Sequence, residues 1–249
     1  MSTIKKTTQT HSPKNSIMKP KPHNSSKNIE TPSTDQSTSK SIINNQKRLS
    51  LPEKIPRNGK LDYTYPDGNK YSGFWKDDKR NGFGTMKYSN GDLYEGNWLQ
   101  GKKSGEGTLS TYDGNIYKGH FRNDKRHGKG EEKIDKGANY NGEWYDNMKQ
   151  GKGKIIYSDG STYDGEWRHN LYQGKGTRVF SDGSEYTGNW CYGRRNGYGV
   201  LINKLQIAKY EGDWKKDKKN GKGICHYHDG EVFNGHWKED LRSGNGKMT

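Results

Sequence analysis

The sequence is short of apolar residues. Only 26% of its 249 residues are hydrophobic, against roughly 45–50% in an ordinary globular domain when glycine is counted. That scarcity excludes a thick core between packed layers. Such a chain is either disordered or buries its few apolar groups in a thin, extended architecture. Cysteine is scarce too. Cys191 and Cys225 are the only two, too few for a disulfide framework and in keeping with a reducing compartment. No apolar run approaches the roughly 20 residues that span a bilayer, and the N-terminus has no apolar signal segment. The expectation is an intracellular protein, soluble or peripherally attached. Acids are outnumbered, 29 against 44 Lys and Arg, for a net charge of +15. That balance favours acidic partners without choosing among nucleic acid, anionic lipid and acidic protein.

Glycine is absent from residues 1–57, which hold six of the seven prolines, 17 Ser or Thr, 11 Lys or Arg and three acids. This basic tail is expected to be disordered unless bound. Its 41–51 stretch gathers Ile42, Ile43, Leu49 and Leu51 and is the part suited to order on a partner. Ser12-Pro13, Thr31-Pro32 and Ser50 beside Lys47 and Arg48 are candidate phosphorylation sites.

From residue 58 the 34 glycines fall in a pattern. The anchor is Tyr-x-Gly-x-Trp, with its rings at Tyr71 and Trp75, Tyr94 and Trp98, Tyr140 and Trp144, Tyr163 and Trp167, Tyr186 and Trp190, and Tyr210 and Trp214. Two varied copies carry Tyr117 with Phe121 and Phe233 with Trp237. Successive anchors lie 23 residues apart in six of seven steps, and all seven tryptophans occupy the fifth anchor position. Each anchor is followed by Gly-x-Gly, from Gly82/Gly84 to Gly244/Gly246, and most units close on Asp-Gly or a relative. Asn58-Gly59 and Asp67-Gly68 make a half unit in the same register.

Residues two apart share one face of a strand. The Tyr, Gly and Trp of each anchor therefore point one way and the polar residues between them the other. Gly-x-Gly is read as opening a second strand after a loop, and Asp-Gly as a tight turn. Eight such hairpins side by side form an all-β, elongated, twisted single antiparallel sheet, roughly 75–80 Å long at strand spacing. The aromatic rings form a continuous row, which is a candidate partner-binding surface. Basic residues recur just before Gly-x-Gly: Lys79, Arg80, Lys102, Lys103, Lys125, Arg126, Lys149, Arg194, Arg195, Lys218, Lys219 and Arg242. Being at one repeat position, they are expected to line one edge of the sheet, with Asp67, Asp113, Asp159, Asp182 and Asp229 along the other. Leu171-Tyr172 interrupts the basic row.

Three elements in register at a 23-residue period resemble the MORN repeat family over about 190 residues. The resemblance implies a half repeat at 58–70 and repeats starting at 71, 94, 117, 140, 163, 186, 210 and 233. It also implies a non-catalytic scaffold or partner-binding strip. Members occur in ciliary radial spokes, cytoskeletal baskets and membrane-contact proteins, or as accessory repeats beside lipid-kinase or methyltransferase domains. No segment here is left over for such a catalytic domain. Repeat 3 departs from the pattern at Phe121 and at Lys136-Gly137, and repeat 6 gains a residue across 203–209.

Catalytic motifs do not survive this reading. No Gly-x-Gly continues to the third glycine of a dinucleotide loop, and Lys103 stands where a phosphate loop needs Ser or Thr. Cys225, His226, His228 and Asp229 cluster in sequence, with both histidines read onto one strand face, but no second ligand pair follows. No cofactor, metal or catalytic residue is assigned. The expected function is a structural scaffold in a cytoskeletal assembly, with the axoneme of a cilium or flagellum favoured and other axonemal or cytoskeletal proteins, including acidic surfaces such as tubulin, as partners. The alternative is a peripheral membrane tether that binds anionic phospholipid through its basic edge and tail. Nucleic acid is disfavoured because the aromatic positions already have a structural explanation. Exposed sheet edges invite self-association.

Overall fold

The computed structural model describes residues 56–204 and 208–249. The tail readings on residues 1–55, including the candidate phosphorylation sites and the 41–51 stretch, lie outside the described residues. These described residues form one open antiparallel sheet of 17 strands, each paired with its neighbours in sequence. The half unit supplies β1 (Gly59–Thr64). Each later unit supplies an anchor strand and a return strand. The anchor strands are β2 (Lys70–Lys76), β4 (Leu93–Leu99), β6 (Ile116–Arg122), β8 (Asn139–Tyr145), β10 (Thr162–Arg168), β12 (Glu185–Cys191), β14 (Ala208–Lys215) and β16 (Val232–Lys238). The return strands are β3 (Lys79–Lys87), β5 (Lys102–Ser110), β7 (Lys125–Lys133), β9 (Met148–Ile156), β11 (Leu171–Val179), β13 (Arg194–Asn203), β15 (Lys218–His226) and β17 (Leu241–Met248).

The expected loop between anchor and Gly-x-Gly does not exist. The chain reverses in two residues directly after the residue that follows Trp. Lys76 pairs with Lys79 across Asp77-Asp78, and both turn residues have positive φ, 49° and 62°. All eight units repeat this geometry, through Gln100-Gly101, Asn123-Asp124, Asp146-Asn147, His169-Asn170, Tyr192-Gly193, Lys216-Asp217 and Glu239-Asp240. A two-residue turn of this hand matches the twist of the strands it joins. Its signal was in the sequence, because the second position is always Asp, Asn or Gly, the residues that tolerate positive φ at least cost. The return strand therefore starts at the basic residues, and the first glycine of Gly-x-Gly lies inside it at a bulge. In β3 that is Gly82, with φ of 84°.

The Asp-Gly turns have the expected place. At 88–92, the Tyr88 N–H donates to Asp92 O at 2.9 Å and the Gly91 N–H to Tyr88 O at 3.0 Å. The aspartates line this edge as expected, and Asp67, Asp159, Asp182 and Asp229 each accept the backbone N–H two residues on. At Lys136-Gly137 the same hydrogen bonds form, but the positive φ, 52°, moves onto Lys136. The extra residue of repeat 6 falls between β13 and β14, which pair up to Asn203 and Ala208.

Neighbouring repeats are tied at the two-residue turns. The Asp124 N–H donates to Lys103 O at 3.1 Å, and the Asp124 carboxylate accepts the Lys103 N–H at 2.8 Å. Asn147 holds Arg126 in the same way, Asn170 holds Lys149, and Asp217 holds Arg195. Arg57, which the sequence reading left in the tail, is held by Asp78 through this same pair of contacts, so the folded unit includes it.

Candidate functional site

One face of the sheet carries an unbroken ladder of sixteen rings. Each anchor Tyr or Phe meets its own Trp edge to face, as Tyr94 does Trp98 at 5.0 Å and 86°. Each except Phe233, in the last repeat, also meets the Trp or Phe of the following repeat, as Tyr71 does Trp98 at 5.5 Å and 86°. This is the favoured geometry for aromatic pairs, and each pair adds about 0.5–1.5 kcal/mol beyond area burial. The 24-residue step does not break the ladder, since Tyr186 reaches Trp214 at 5.4 Å.

The glycines make room for it. The Tyr71 ring lies across Gly73 of its own strand and Gly84 of the next, which are paired in register. A Cβ at Gly73 would stand 2.6 Å from the Tyr71 hydroxyl. That hydroxyl donates to Phe74 O at 3.1 Å. The indole N–H of each Trp donates to a carbonyl one repeat back: Trp98 to Gly84, Trp144 to Gly130, Trp167 to Gly153, Trp190 to Gly176, Trp214 to Gly199 and Trp237 to Gly223. Phe121 has no N–H to offer Gly107. Beside it a pocket of about 420 Å³ opens among Leu109, Thr111, Phe121 and Arg126.

All sixteen rings named in the sequence reading are buried, at 7% exposure or less. They are the core of the sheet rather than a bare surface. A partner on this face would meet what covers them. Burial pushes the phenols of Tyr71 and Tyr186 up to about 12 and those of Tyr94, Tyr117, Tyr140, Tyr163 and Tyr210 further still.

Much of the cover is the expected basic edge, which the structure splits in two. The second member of each pair folds over the ladder. The guanidinium of Arg80 lies 4.2 Å above Trp98, that of Arg126 4.3 Å above Trp144, and that of Arg195 4.2 Å above Trp214. Lys103 sits over Tyr94 at 5.1 Å, Lys149 over Tyr140 at 4.9 Å, Lys219 over Trp237 at 4.7 Å, and Arg242 over Phe233 at 5.4 Å. Arg57 caps Trp75 at 4.0 Å. Burial lowers the pKa of Lys103, while Asp124 works against that shift. These cations are a roof on the aromatic core, not a free charged edge. The physical reason is strand alternation, because Arg80 pairs with Trp75 and shares its face.

Two departures rework the roof locally. Tyr172 replaces the cation and stacks on Tyr163 at 3.7 Å and 14°. Arg178, opposite Tyr163 in register, supplies the missing charge, donating to the Tyr172 hydroxyl and lying 5.0 Å from Tyr157. In repeat 3 Glu132 takes the same register position opposite Tyr117. It is paired with Arg126 and, at 3.2 Å, with Lys149.

The first members of the basic pairs point to the other face. There they alternate with the residue that follows each anchor Trp or Phe, a position the sequence reading passed over although it recurs at the same period. The resulting row runs Lys76, Lys79, Leu99, Lys102, Arg122, Lys125, Tyr145, Met148, Arg168, Leu171, Cys191, Arg194, Lys215, Lys218, Lys238 and Leu241. Ten of these are Lys or Arg and none is acidic. All but Met148 and Cys191 are exposed. Several reach the first turn residue of the next repeat, Lys79 to Gln100 at 3.0 Å, Lys125 to Asp146 at 2.8 Å and Lys218 to Glu239 at 2.6 Å.

The cysteine–histidine cluster does not come together as read. Cys225 is buried opposite Tyr210, His226 is exposed at the end of β15, and His228 lies in the following turn. Among the described residues no group of three or more His, Cys, Asp or Glu is placed to hold a metal ion.

The model of the MORN repeat matches residues 71–93, 94–116, 117–138, 140–162, 163–185, 186–203, 210–232 and 233–249. The chain belongs to the MORN-repeat family. The matched segments begin at the anchors, and the short sixth match ends where the MORN sheet gains its extra residue. Comparison with curated proteins finds no significant match. Among solved structures, the MORN sheet is similar to the TCP domain of Drosophila melanogaster SAS-4 (dCPAP), determined in complex with a proline rich motif of Ana2 (dSTIL). Identity is 14%, the TM-score is 0.38, and the match covers 73% of this chain and 96% of that one. The wild-type TCP10 domain of Danio rerio CPAP matches at 12% identity and a TM-score of 0.40, over 71% of this chain and 83% of that one. At these scores neither likeness carries functional weight.

Proposed function

We propose that this chain is a non-catalytic scaffold that binds other proteins, and that its assembly is cytoskeletal, in the axoneme of a cilium or flagellum. One observation carries the scaffold reading. The side chains that recur with the repeat are used up in holding repeat to repeat, and what they leave outward is a long, ordered, basic row. Family membership and the chain's positive charge support an acidic protein partner such as a tubulin surface. Expression of the tagged full chain in ciliated cells tests the location. Axonemal signal that resists detergent is expected, and diffuse cytosolic or purely membrane signal would count against it.

The same row favours a second reading, a peripheral tether to anionic lipid, in which each Lys or Arg near the surface contributes about 1 kcal/mol. Sedimentation of the full chain with phosphatidylserine and phosphoinositide vesicles separates the two readings. Binding that disappears with added salt supports the tether, and absence of binding even at low salt removes it.

A further inference from the structure

The basic row is not uniform. Its outer parts are mostly lysine, Lys76, Lys79 and Lys102 with Leu99 among them at one end, and Lys215, Lys218 and Lys238 with Leu241 at the other. Its middle, in repeats 4 to 6, changes composition. Met148 and Leu171 stand where the flanking repeats have Lys125 and Arg194. Tyr145 stands where its neighbours have Arg122 and Arg168. The turns change in step. Where Lys125 reaches Asp146 and Lys218 reaches Glu239, the matching position after Leu171 is Tyr192. Apolar side chains stand here where those repeats carry an ionic link. The result is an exposed apolar group: Tyr145 is 56% exposed, Leu171 44% and Tyr192 74%. The cations kept among them are arginines, Arg168 and Arg194.

We propose that this middle section is a docking site for an acidic protein segment that carries apolar side chains between carboxylates. The inference rests on the scaffold reading and assigns it a surface. Three features argue for a protein over a membrane. Tyr, Met and Arg are the residues enriched at the centres of protein interfaces, and Lys is depleted there. The row follows that division in the main, with Tyr145, Met148, Arg168 and Arg194 inside and mostly Lys at the rim, where Leu99, Arg122 and Leu241 are the exceptions. A lipid surface, by contrast, would read charge evenly along the row and gain nothing from the gap. Second, the row itself holds no acid, and although Lys125 and Lys218 are paired with Asp146 and Glu239, its other cations keep both ends positive, so the partner's complement is negative there. Third, the apolar group spans two repeat steps, about 20 Å at four strand spacings. That length matches about 13 residues of helix or about six of extended strand, a short segment rather than a whole sheet. Tyr145, Leu171 and Tyr192 are the anchors, and the arginines fix the register of the carboxylates.

The test is a selection of random 16-residue peptides displayed on phage against the full chain, followed by affinity measurement on the variant Tyr145→Ser, Leu171→Ser, Tyr192→Ser. All three side chains are exposed, so the variant should keep its circular dichroism and melting temperature. A second variant, Lys76→Ser with Lys79→Ser, controls for loss of charge alone. Selected peptides are expected to place apolar residues between acids and to bind the triple variant at least about tenfold more weakly, as loss of interface anchors does. The lysine variant should lose only a few fold. Peptides that bind the triple variant as well as the parent would overturn the docking site and leave the scaffold reading standing on another face. Selection of peptides without acids would also overturn it. Binding of phosphatidylserine vesicles that depends on these three side chains would assign the patch to a membrane instead. Failure to select any peptide would overturn the docking site, while the scaffold reading is judged separately by the localisation of the tagged chain.

Discussion

Trp98 donates its indole N–H to the carbonyl of Gly84, fourteen residues earlier, across 3.1 Å. The glycine is the one that gives the Tyr71 ring its place, and that ring meets Trp98 edge to face. Three repeat-defining positions are thus locked by one another, and the arrangement recurs along the sheet. Phe121 is the exception. Replacing Phe121 with Trp should restore the missing donor to Gly107, with room in the adjoining pocket. A hydrogen bond of this kind is worth about 1 kcal/mol net. The melting temperature is expected to rise, whereas Trp144→Phe should lower stability by a similar amount. A fall in stability for Phe121→Trp would show that the pocket cannot take the larger ring.

Two glycines of different kinds separate space from backbone conformation. A Cβ at Gly84 would run into the Tyr71 hydroxyl and ring, so Gly84→Ala should displace the ladder. Such overpacking costs about 1–3 kcal/mol. At Gly101 nothing lies within 4 Å of an added Cβ, but φ is +83°. Gly101→Ala should therefore cost only about 1 kcal/mol, from the strained φ alone. Urea denaturation of both variants checks the ranking, and equal losses would contradict it.

Tyr172 and Arg178 should behave as one unit. Tyr172→Lys removes the stack on Tyr163 and places a second cation beside Arg178, so it should destabilise by about 1–2 kcal/mol. Adding Arg178→Ile, the residue found at the same register in repeat 4 as Ile155, should recover most of the loss. A double-mutant cycle measures the coupling, and additive losses would show that the two positions are independent.

Burial makes the fold sensitive to alkali. Burial raises the phenols of Tyr71 and Tyr186 to about 12 when folded, against an ordinary 10.0. Because the folded pKa is raised, the native state holds its protons longer than the unfolded chain does. Stability is therefore intact below pH 10 and falls as pH climbs from 10 through 12 and beyond. The tyrosinate absorbance of the ladder tyrosines and the far-ultraviolet circular dichroism should change together in one steep transition. Titration of all 17 phenols near pH 10 with the dichroism unchanged would contradict the burial argument.

Glu132 presents a partly buried carboxylate between two cations. Glu132→Ala leaves Arg126 and Lys149 close together without their shared acid. Loss of one partner from such a group costs about 3–5 kcal/mol when fully buried, and less here because Glu132 keeps 16% side-chain exposure. Glu132→Ile should cost less than Glu132→Ala, because Ile155 fills the equivalent position with apolar contact. Chemical denaturation of the two variants gives the order.

The period, the pairing of each strand with the next, and the face on which the rings lie were legible in the sequence alone. They follow from local rules: strand alternation sets the face, Asp-Gly sets one turn, and the 23-residue spacing sets the neighbour. Tertiary structure decided matters that depend on what crosses between repeats. Lys79 and Arg80 are adjacent and look equivalent, yet one is exposed and the other roofs Trp98, because the two-residue turn at Asp77-Asp78 puts them on opposite faces. Tyr172 looks like a gap in a basic row, but Arg178 reaches in from a later position on the same strand to serve it. The rings themselves look available until their neighbours one repeat away are in place. A repeat's own sequence specifies its hairpin. Its burial and its outward surface are specified only by the repeats packed on either side.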